Sequence, residues 1–393
     1  MTYRSKIAWI FLLGFALDLV NMFVATVAYP DIAHELQASV TQLAWVSNAY
    51  LLGLTLIIPL SVWLAAVMGE RRLITASLLI FAGASVLVGQ AGSIETLIGW
   101  RALQGLGGGL LIPVGQAMAY RHCPAAERSQ LTARVMSVAL LVPALSPALG
   151  GWLVDSLSWR WIFYANLPLA LFTLLLAWLW IKPDAPATAR PSLEMGNLFK
   201  QIGNPMLRIA MLIYLCVPGV FIGTSLIAIL YLRGLGYDAA HTGALMLPWA
   251  LASALAIFLS KTLFNRYGPK PLLLAGMGLQ CSGIVLLNEP SLIILAYGLM
   301  GLGGSLCSST AQTLAFLDIP APRMGHASAL WNINRQLSFC LGAAALSAVL
   351  SASDSFTMTF LIAAALTLLP LLAVLSLDTS RVRALLHPAS EPQ

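Results

Sequence analysis

The sequence predicts an all-α polytopic membrane protein, with twelve transmembrane helices in two pseudo-symmetric six-helix bundles. Three observations carry that prediction. The chain is 59% hydrophobic and only 9% charged, with mean hydropathy +0.85, whereas soluble domains carry roughly 25% charged residues. Its apolar runs are mostly ~20 residues long, enough to cover ~30 Å of hydrocarbon at ~1.5 Å per residue. Finally, Gly105-Leu106-Gly107-Gly108 returns as Gly301-Leu302-Gly303-Gly304, 196 residues further along a chain of 393. The repeat therefore divides the chain in half, as in transporters built from two similar bundles.

In chain order, the expected spans are 7–30, 43–67, 73–92, 96–119, 132–154, 161–181, 206–232, 241–263, 271–288, 291–317, 325–350 and 355–377. The first run is long and contains Asp18, so it reads as a span rather than a cleavable signal peptide. A second echo, Ser61 and Gly69 against Ser260 and Gly268, precedes a basic turn in each half. The domains follow as an N-terminal bundle over 1–182, a cytoplasmic linker over 183–205, a C-terminal bundle over 206–380 and a tail over 381–393. The linker is rich in Pro and Ala, with Pro183, Pro186, Pro191 and Pro205. Its stretch from Leu193 to Ile202 suits a short surface helix.

With the N-terminus inside, 17 of the 21 Lys and Arg fall on the cytoplasmic side. Arg160 and Arg233 fall outside, and Arg101 and Arg335 lie within spans. That bias places both termini in the cytoplasm of a multi-pass protein of the cell (inner) membrane. The net charge of +6 is thus an insertion signal rather than a nucleic-acid footprint. The expected partners are lipid, protons and a small-molecule substrate, with the chain a monomer. Trp45, Trp152 and Trp159 lie near predicted outer ends, where interfacial anchors sit.

Cys123, Cys216, Cys281, Cys307 and Cys340 form no CxxC pair, and His34, His122, His241 and His326 do not cluster. No metal site is expected. A GxxxxGK[ST] loop is also absent, which argues against ATP hydrolysis. No cofactor is therefore expected, and the proton gradient is the proposed driving force.

Several ordered motifs resemble those of the major facilitator superfamily. They are Tyr50-Leu51-Leu52, Gly69-Glu70-Arg71-Arg72, Arg101-x-x-Gln104-Gly105-x-Gly107 and Ser146-Pro147-x-x-Gly150-Gly151. The run Trp159-Arg160-Trp161-x-Phe163-x-x-Asn166-x-Pro168, and Asn332-x-x-Arg335-Gln336 before Gly342, resemble its drug:proton antiporter branch. Usual members of that branch have fourteen spans; here the two central ones are replaced by the linker. The resemblance implies the major facilitator fold and proton-coupled export without enzymatic activity.

Three departures stand out. Where the resemblance leads one to expect Gly, Asp and Arg in the 2–3 loop, this chain has Ser61, Ala66 and Val67, which leaves Glu70 as the possible substitute acid. The second copy, Ser260, Asn265, Arg266 and Gly268, also lacks the acid. In span one the expected acid position, nine residues before Pro30, is Asn21, and the carboxylate is Asp18 instead.

Asp18 is the one acid placed deep within a span. Intramembrane carboxylates are costly when ionised and tend to be functional; a structural hydrogen bond or ion pair is the alternative. Asp18 and Arg101 are the proton-coupling candidates. Gln104 lies three residues from Arg101, on the same face. Asn21, Gln104, Asn332, Arg335 and Gln336 are the substrate-cavity candidates, although the last three could instead tie span eleven to a neighbour. Gly69, Arg71, Arg72 and Gly268 are candidates for gating. Pro143, Pro147, Gly150 and Gly151 form a hinge and packing signal, since proline removes a backbone bond and glycine admits a close neighbour.

The preferred function is proton-coupled efflux of small amphipathic compounds or drugs by alternating access. One buried acid against two buried arginines also suits an exporter of an anionic metabolite, such as a carboxylate siderophore or organic acid. A membrane sensor or an intramembrane enzyme is the remote alternative, for which the chain supplies no catalytic pair.

Overall fold

A computed structural model describes residues 1–184, 195–237 and 244–386. The linker prolines at 186 and 191, Arg190, Leu193 and His241 lie outside the described residues.

Each predicted span is helical where described. Span one is Tyr3–Val24, continued by a 3-10 turn (Ala25–Ala28) and a helix over Tyr29–Leu36. Span two is Val40–Ile57, followed after a 3-10 turn by Ser61–Met68. Span three is Glu70–Gly89; span four is Ile94–Gly108 and Leu111–Arg121. Span five runs from Arg128 to Ser156, and span six is Arg160–Tyr164 plus Asn166–Trp180. In the second half, span seven is Pro205–Tyr214 and Val220–Gly234, joined by a π-helical turn over Leu215–Gly219 that contains Pro218. Spans eight to eleven are Met246–Tyr267, Pro269–Leu286, Ile293–Leu317 and Met324–Ser353. Span twelve is Phe356–Leu368 with Leu371–Leu375.

Ten of these stretches are long and apolar enough to cross a membrane on that criterion alone. Span four is broken by the turn at Gly109–Leu110 and holds Arg101 and Gln104, while span nine opens on Pro-Lys-Pro.

Local sequence explains the ends. Ser39 with Gln42, and Ser93 with Thr96, form reciprocal capping boxes that satisfy the first free N–H groups of spans two and four. Asn204 caps the helix that Pro205 opens. Gly69 and Gly268 stop spans two and eight with φ of +87° and +77°, a region closed to most L-residues. The Ser61/Gly69 and Ser260/Gly268 echo is thus partly a repeated backbone turn.

The chain forms two compact units. The first comprises Met1–Cys123, Val138–Lys200 and Ala321–Asn332; the second comprises Pro124–Ser137, Gln201–Pro320 and Ile333–Gln393. In the first unit, span four packs on spans one, two and three, and span six on spans one and three. In the second, span ten packs on spans seven, eight and nine, and span twelve on spans seven and nine. The neighbour pattern repeats, as the sequence repeat requires.

The glycine tetrapeptides show why. An added Cβ on Gly105 would stand 2.1 Å from the Tyr50 carbonyl oxygen, and one on Gly301 would stand 2.3 Å from that of Trp249. Each tetrapeptide lets two helix backbones meet.

Candidate functional site

The first unit holds a buried polar cluster drawn from spans one, two, three, four and six. Asp18 is 2% exposed, and Asn21, Tyr50, Arg101 and Gln104 are fully buried. The Tyr50 hydroxyl donates to the Asp18 carboxylate. Arg101 donates from Nε to the Val46 carbonyl at 3.0 Å, and from Nη1 to Asn21 Oδ1 at 3.1 Å and Gln104 Oε1 at 2.8 Å. Gln104 passes the network on through Nε2 to Ser85 Oγ at 2.7 Å. Asn166 Nδ2 donates to Asn21 Oδ1 at 3.0 Å.

The guanidinium lies 4.5 Å from the Tyr50 ring centroid and 5.5 Å from that of Phe163, so aromatic faces share in balancing its charge. Gly108 leaves the room this needs: its added Cβ would sit 2.9 Å from the Tyr50 hydroxyl and 3.6 Å from Asp18 Oδ1.

Sequence reasoning singled out Asp18, Asn21, Arg101 and Gln104, and these four meet in one cluster. It read Tyr50 and Asn166 only as parts of motifs and passed over Ser85. Polar side chains in mid-span were the available signal, because a hydroxyl or amide in hydrocarbon must find a partner. Tyr50 touches both groups: its hydroxyl donates to the Asp18 carboxylate and its ring lies 4.5 Å from the Arg101 guanidinium.

The span-eleven candidates have different surroundings. Asn332 is buried and counts with the first unit, where Nδ2 donates to Gln116 Oε1 at 2.7 Å and Ser328 Oγ donates to the same oxygen at 2.9 Å. Arg335 and Gln336 are half-buried and count with the second unit, where Arg335 is within electrostatic reach of Tyr214. Span five stays one continuous helix past Pro143 and Pro147. An added Cβ on Gly150 would meet Val24 Cγ2 at 2.6 Å, whereas Gly151 has ordinary space.

At the 2–3 turn, Asp184 accepts from the backbone N–H groups of Arg71 at 3.0 Å and Arg72 at 3.1 Å, capping span three. Arg71 stacks 4.1 Å from the Trp178 ring. Glu70, the possible substitute acid, is bonded at 2.7 Å to Arg121 of its own unit.

Trp159 corrects one expectation. Trp45 and Trp152 are exposed, as interfacial anchors are, but Trp159 is 2% exposed inside an apolar cluster with Ile162 and Phe163. Its indole N–H must then find a partner, and it donates to Glu35 at 2.7 Å. Among the described residues, no group of three or more His, Cys, Asp or Glu could hold a metal ion.

An ionisable cluster sealed inside a helical membrane bundle is the kind of site found on proton and substrate pathways of polytopic membrane proteins. The sequence pattern of the Major Facilitator Superfamily matches residues 11–343 and again 251–392. The chain belongs to that superfamily. Among curated relatives, it is 27% identical over 394 residues to the putative multidrug resistance protein MdtD of Yersinia enterocolitica, covering 85% of this chain and 84% of the relative. It is also 27% identical over 406 residues to the multidrug resistance protein Stp of Mycobacterium tuberculosis, covering 88% and 76%. Among solved structures, the human organic anion transporter MFSD10 superposes with a TM-score of 0.78 at 16% identity, covering 95% of this chain and all of that one. That likeness establishes the major facilitator fold.

Proposed function

We propose that the protein is a proton-coupled exporter of small amphipathic compounds, working by alternating access in the inner membrane as a monomer with both termini cytoplasmic. The observation that carries the reading is Asp18, a buried carboxylate in span one bonded by Tyr50 and set one shared ring away from Arg101. A group in that position can take a proton from one side of the membrane and release it to the other. Two relatives that align over most of the chain are named for multidrug resistance.

The anionic-cargo reading draws less support. Arg101, one of the two arginines on which it rests, already makes three hydrogen bonds to Val46, Asn21 and Gln104 and lies near the Tyr50 and Phe163 rings, which leaves only its Nη2 without a hydrogen-bond partner.

The test uses proteoliposomes with an imposed pH gradient and ethidium as a lipophilic cation. The wild type is expected to move ethidium against its gradient until a protonophore is added, and Asp18→Asn is expected to abolish the coupling. If Asp18→Asn keeps gradient-driven transport, Asp18 is not the proton carrier.

A further inference from the structure

Span six packs on spans one and three in the first unit, and cations gather where the three end on the N-terminal face. The Arg71 guanidinium lies 4.1 Å from the Trp178 ring centroid, and the Lys6 ammonium 6.0 Å from that of Trp180. The Lys182 ammonium lies 4.9 Å from that of Tyr3. Trp178 and Trp180 close the helix Asn166–Trp180 and Lys182 follows it, so the three pairs converge on one helix end. None of the three cationic groups makes a hydrogen bond or ion pair among the described residues. Arg71 Nε is buried there with no hydrogen-bond partner.

The acids nearby do not offset this charge. Glu70 pairs with Arg121 at 2.7 Å, and both Asp184 oxygens accept backbone N–H groups at the start of span three, at 3.0 and 3.1 Å. With Glu70 and Arg121 cancelling, Arg4, Lys6, Arg71, Arg72 and Lys182 stand against Asp184 alone. Helix polarity adds to the imbalance. Lys6 and Arg71 lie close to the N-termini of Tyr3–Val24 and Glu70–Gly89, the ends that favour an anion over a cation.

Beside the cations the surface turns apolar. Leu171, Phe172, Leu175, Trp178 and Leu179 are exposed along one face of span six. That lane is about 12 Å long at ~1.5 Å per residue, most of one leaflet's ~15 Å share of the hydrocarbon. Trp178 belongs to both parts, since it ends the lane and carries Arg71 on its ring.

We propose that this end of span six binds one anionic phospholipid from the leaflet on the N-terminal side. Its phosphate meets the Arg71 guanidinium, whose planar fork suits phosphate oxygens, with Lys6 and Lys182 flanking it. An acyl chain lies along Leu175, Phe172 and Leu171. Basic pockets between spans hold anionic head groups by the same attraction. A zwitterionic lipid brings a further cation to a place with a cationic excess, and a soluble phosphate leaves the apolar lane bare. The site is separate from the Asp18 cluster, and its occupancy requires no gradient.

The test is native mass spectrometry of the intact protein in detergent, titrated with dioleoyl phosphatidylglycerol or dioleoyl phosphatidylcholine. Glycerol phosphate serves as a soluble competitor. Phosphatidylglycerol is expected to bind at least about tenfold more tightly than phosphatidylcholine, and glycerol phosphate should not displace it. Each basic residue near an anionic head group is worth about fivefold in affinity. Arg71→Gln is therefore expected to weaken phosphatidylglycerol by about that factor, and the triple variant Lys6→Gln, Arg71→Gln, Lys182→Gln should bring it to the level of phosphatidylcholine. A control triple variant in the second unit, Arg134→Gln, Arg266→Gln, Arg383→Gln, removes equal charge and should leave the tightest binding unchanged. If the first triple variant does not run as a single species on size exclusion, Arg71→Gln against Arg266→Gln decides.

Asp18→Asn is expected to leave lipid binding unchanged, so failure of the efflux reading would not touch this one. Phosphatidylcholine bound as tightly as phosphatidylglycerol, displacement by glycerol phosphate, or equal weakening by the control substitutions would each overturn the proposal.

Discussion

The Tyr50 hydroxyl donates to the Asp18 carboxylate while the Arg101 guanidinium stands 4.5 Å from the centroid of the same ring. One side chain therefore touches both ionisable groups of the buried cluster, one by a hydrogen bond and the other by its π face. A change in the charge of Asp18 therefore bears on the Tyr50 hydroxyl and on Arg101 alike.

Tyr50→Phe separates those two contacts, because it keeps the ring and removes the hydroxyl. A hydrogen bond to a charged group contributes about 1.5–3 kcal/mol. Gradient-driven efflux is therefore expected to fall by about tenfold or more, while the folded protein persists because the ring still fills its place. Transport in proteoliposomes and thermal unfolding in detergent, measured side by side, check this. Efflux at the wild-type level would show that the hydroxyl is structural only.

Arg101→Lys tests the geometry of the guanidinium. Arg101 makes three hydrogen bonds to acceptors on spans one, two and four. A lysine keeps the charge, but its single ammonium cannot reproduce the planar fork. Leaving buried acceptors unmet costs about 1–3 kcal/mol each, so a lower melting temperature and loss of transport are both expected. Unchanged melting would mean that the three bonds contribute nothing net.

These contacts also mark how far the sequence could be read. The glycine echo was legible because it repeats a backbone requirement: Gly105 and Gly301 each meet the carbonyl of a neighbouring helix. Asp18, Asn21, Arg101 and Gln104 were legible because polar groups within hydrocarbon are few. The pairing of Tyr50 with Asp18 was not, since the two lie 32 residues apart and all-apolar helices carry weak periodicity. Trp159 was misread for a related reason. Its place near a span end suits the membrane interface, and only the helix Tyr29–Leu36, which brings Glu35 to it, shows that it is buried.

Glu35 sets a pH dependence. Its hydrogen bond from Arg160 at 2.6 Å, and then that from Trp159, hold its carboxyl below the ordinary value of 4.5. A carboxyl lowered in the folded state stabilises the fold above its unfolded value, and the contribution is lost as pH falls through the folded value. The melting temperature is thus expected to drop on acidification below about pH 4.5, and Glu35→Gln should flatten that part of the curve. The carboxylate is half exposed, so the slope should be modest and weaker at high salt. An identical curve for Glu35→Gln would remove Glu35 from the account.

Gly105→Ala and Gly301→Ala set two opposing effects against each other. Alanine in a helix interior is favoured over glycine by about 0.8–1.0 kcal/mol. Against that, the new Cβ would lie 2.1 Å from the Tyr50 carbonyl oxygen in one case and 2.3 Å from the Trp249 carbonyl oxygen in the other. Neither obstacle is a flexible side-chain tip, so the helices must separate, and overpacking of this kind costs about 1–3 kcal/mol or more. Sterics win, and both variants are expected to melt lower than the wild type. Gly108→Ala differs, because its 2.9 Å neighbour is the Tyr50 hydroxyl at the end of a side chain. Displacing that hydroxyl from Asp18 should reduce efflux more than it reduces melting temperature. Equal melting for all three alanine variants and the wild type would mean that the glycines are not there to admit a neighbouring backbone.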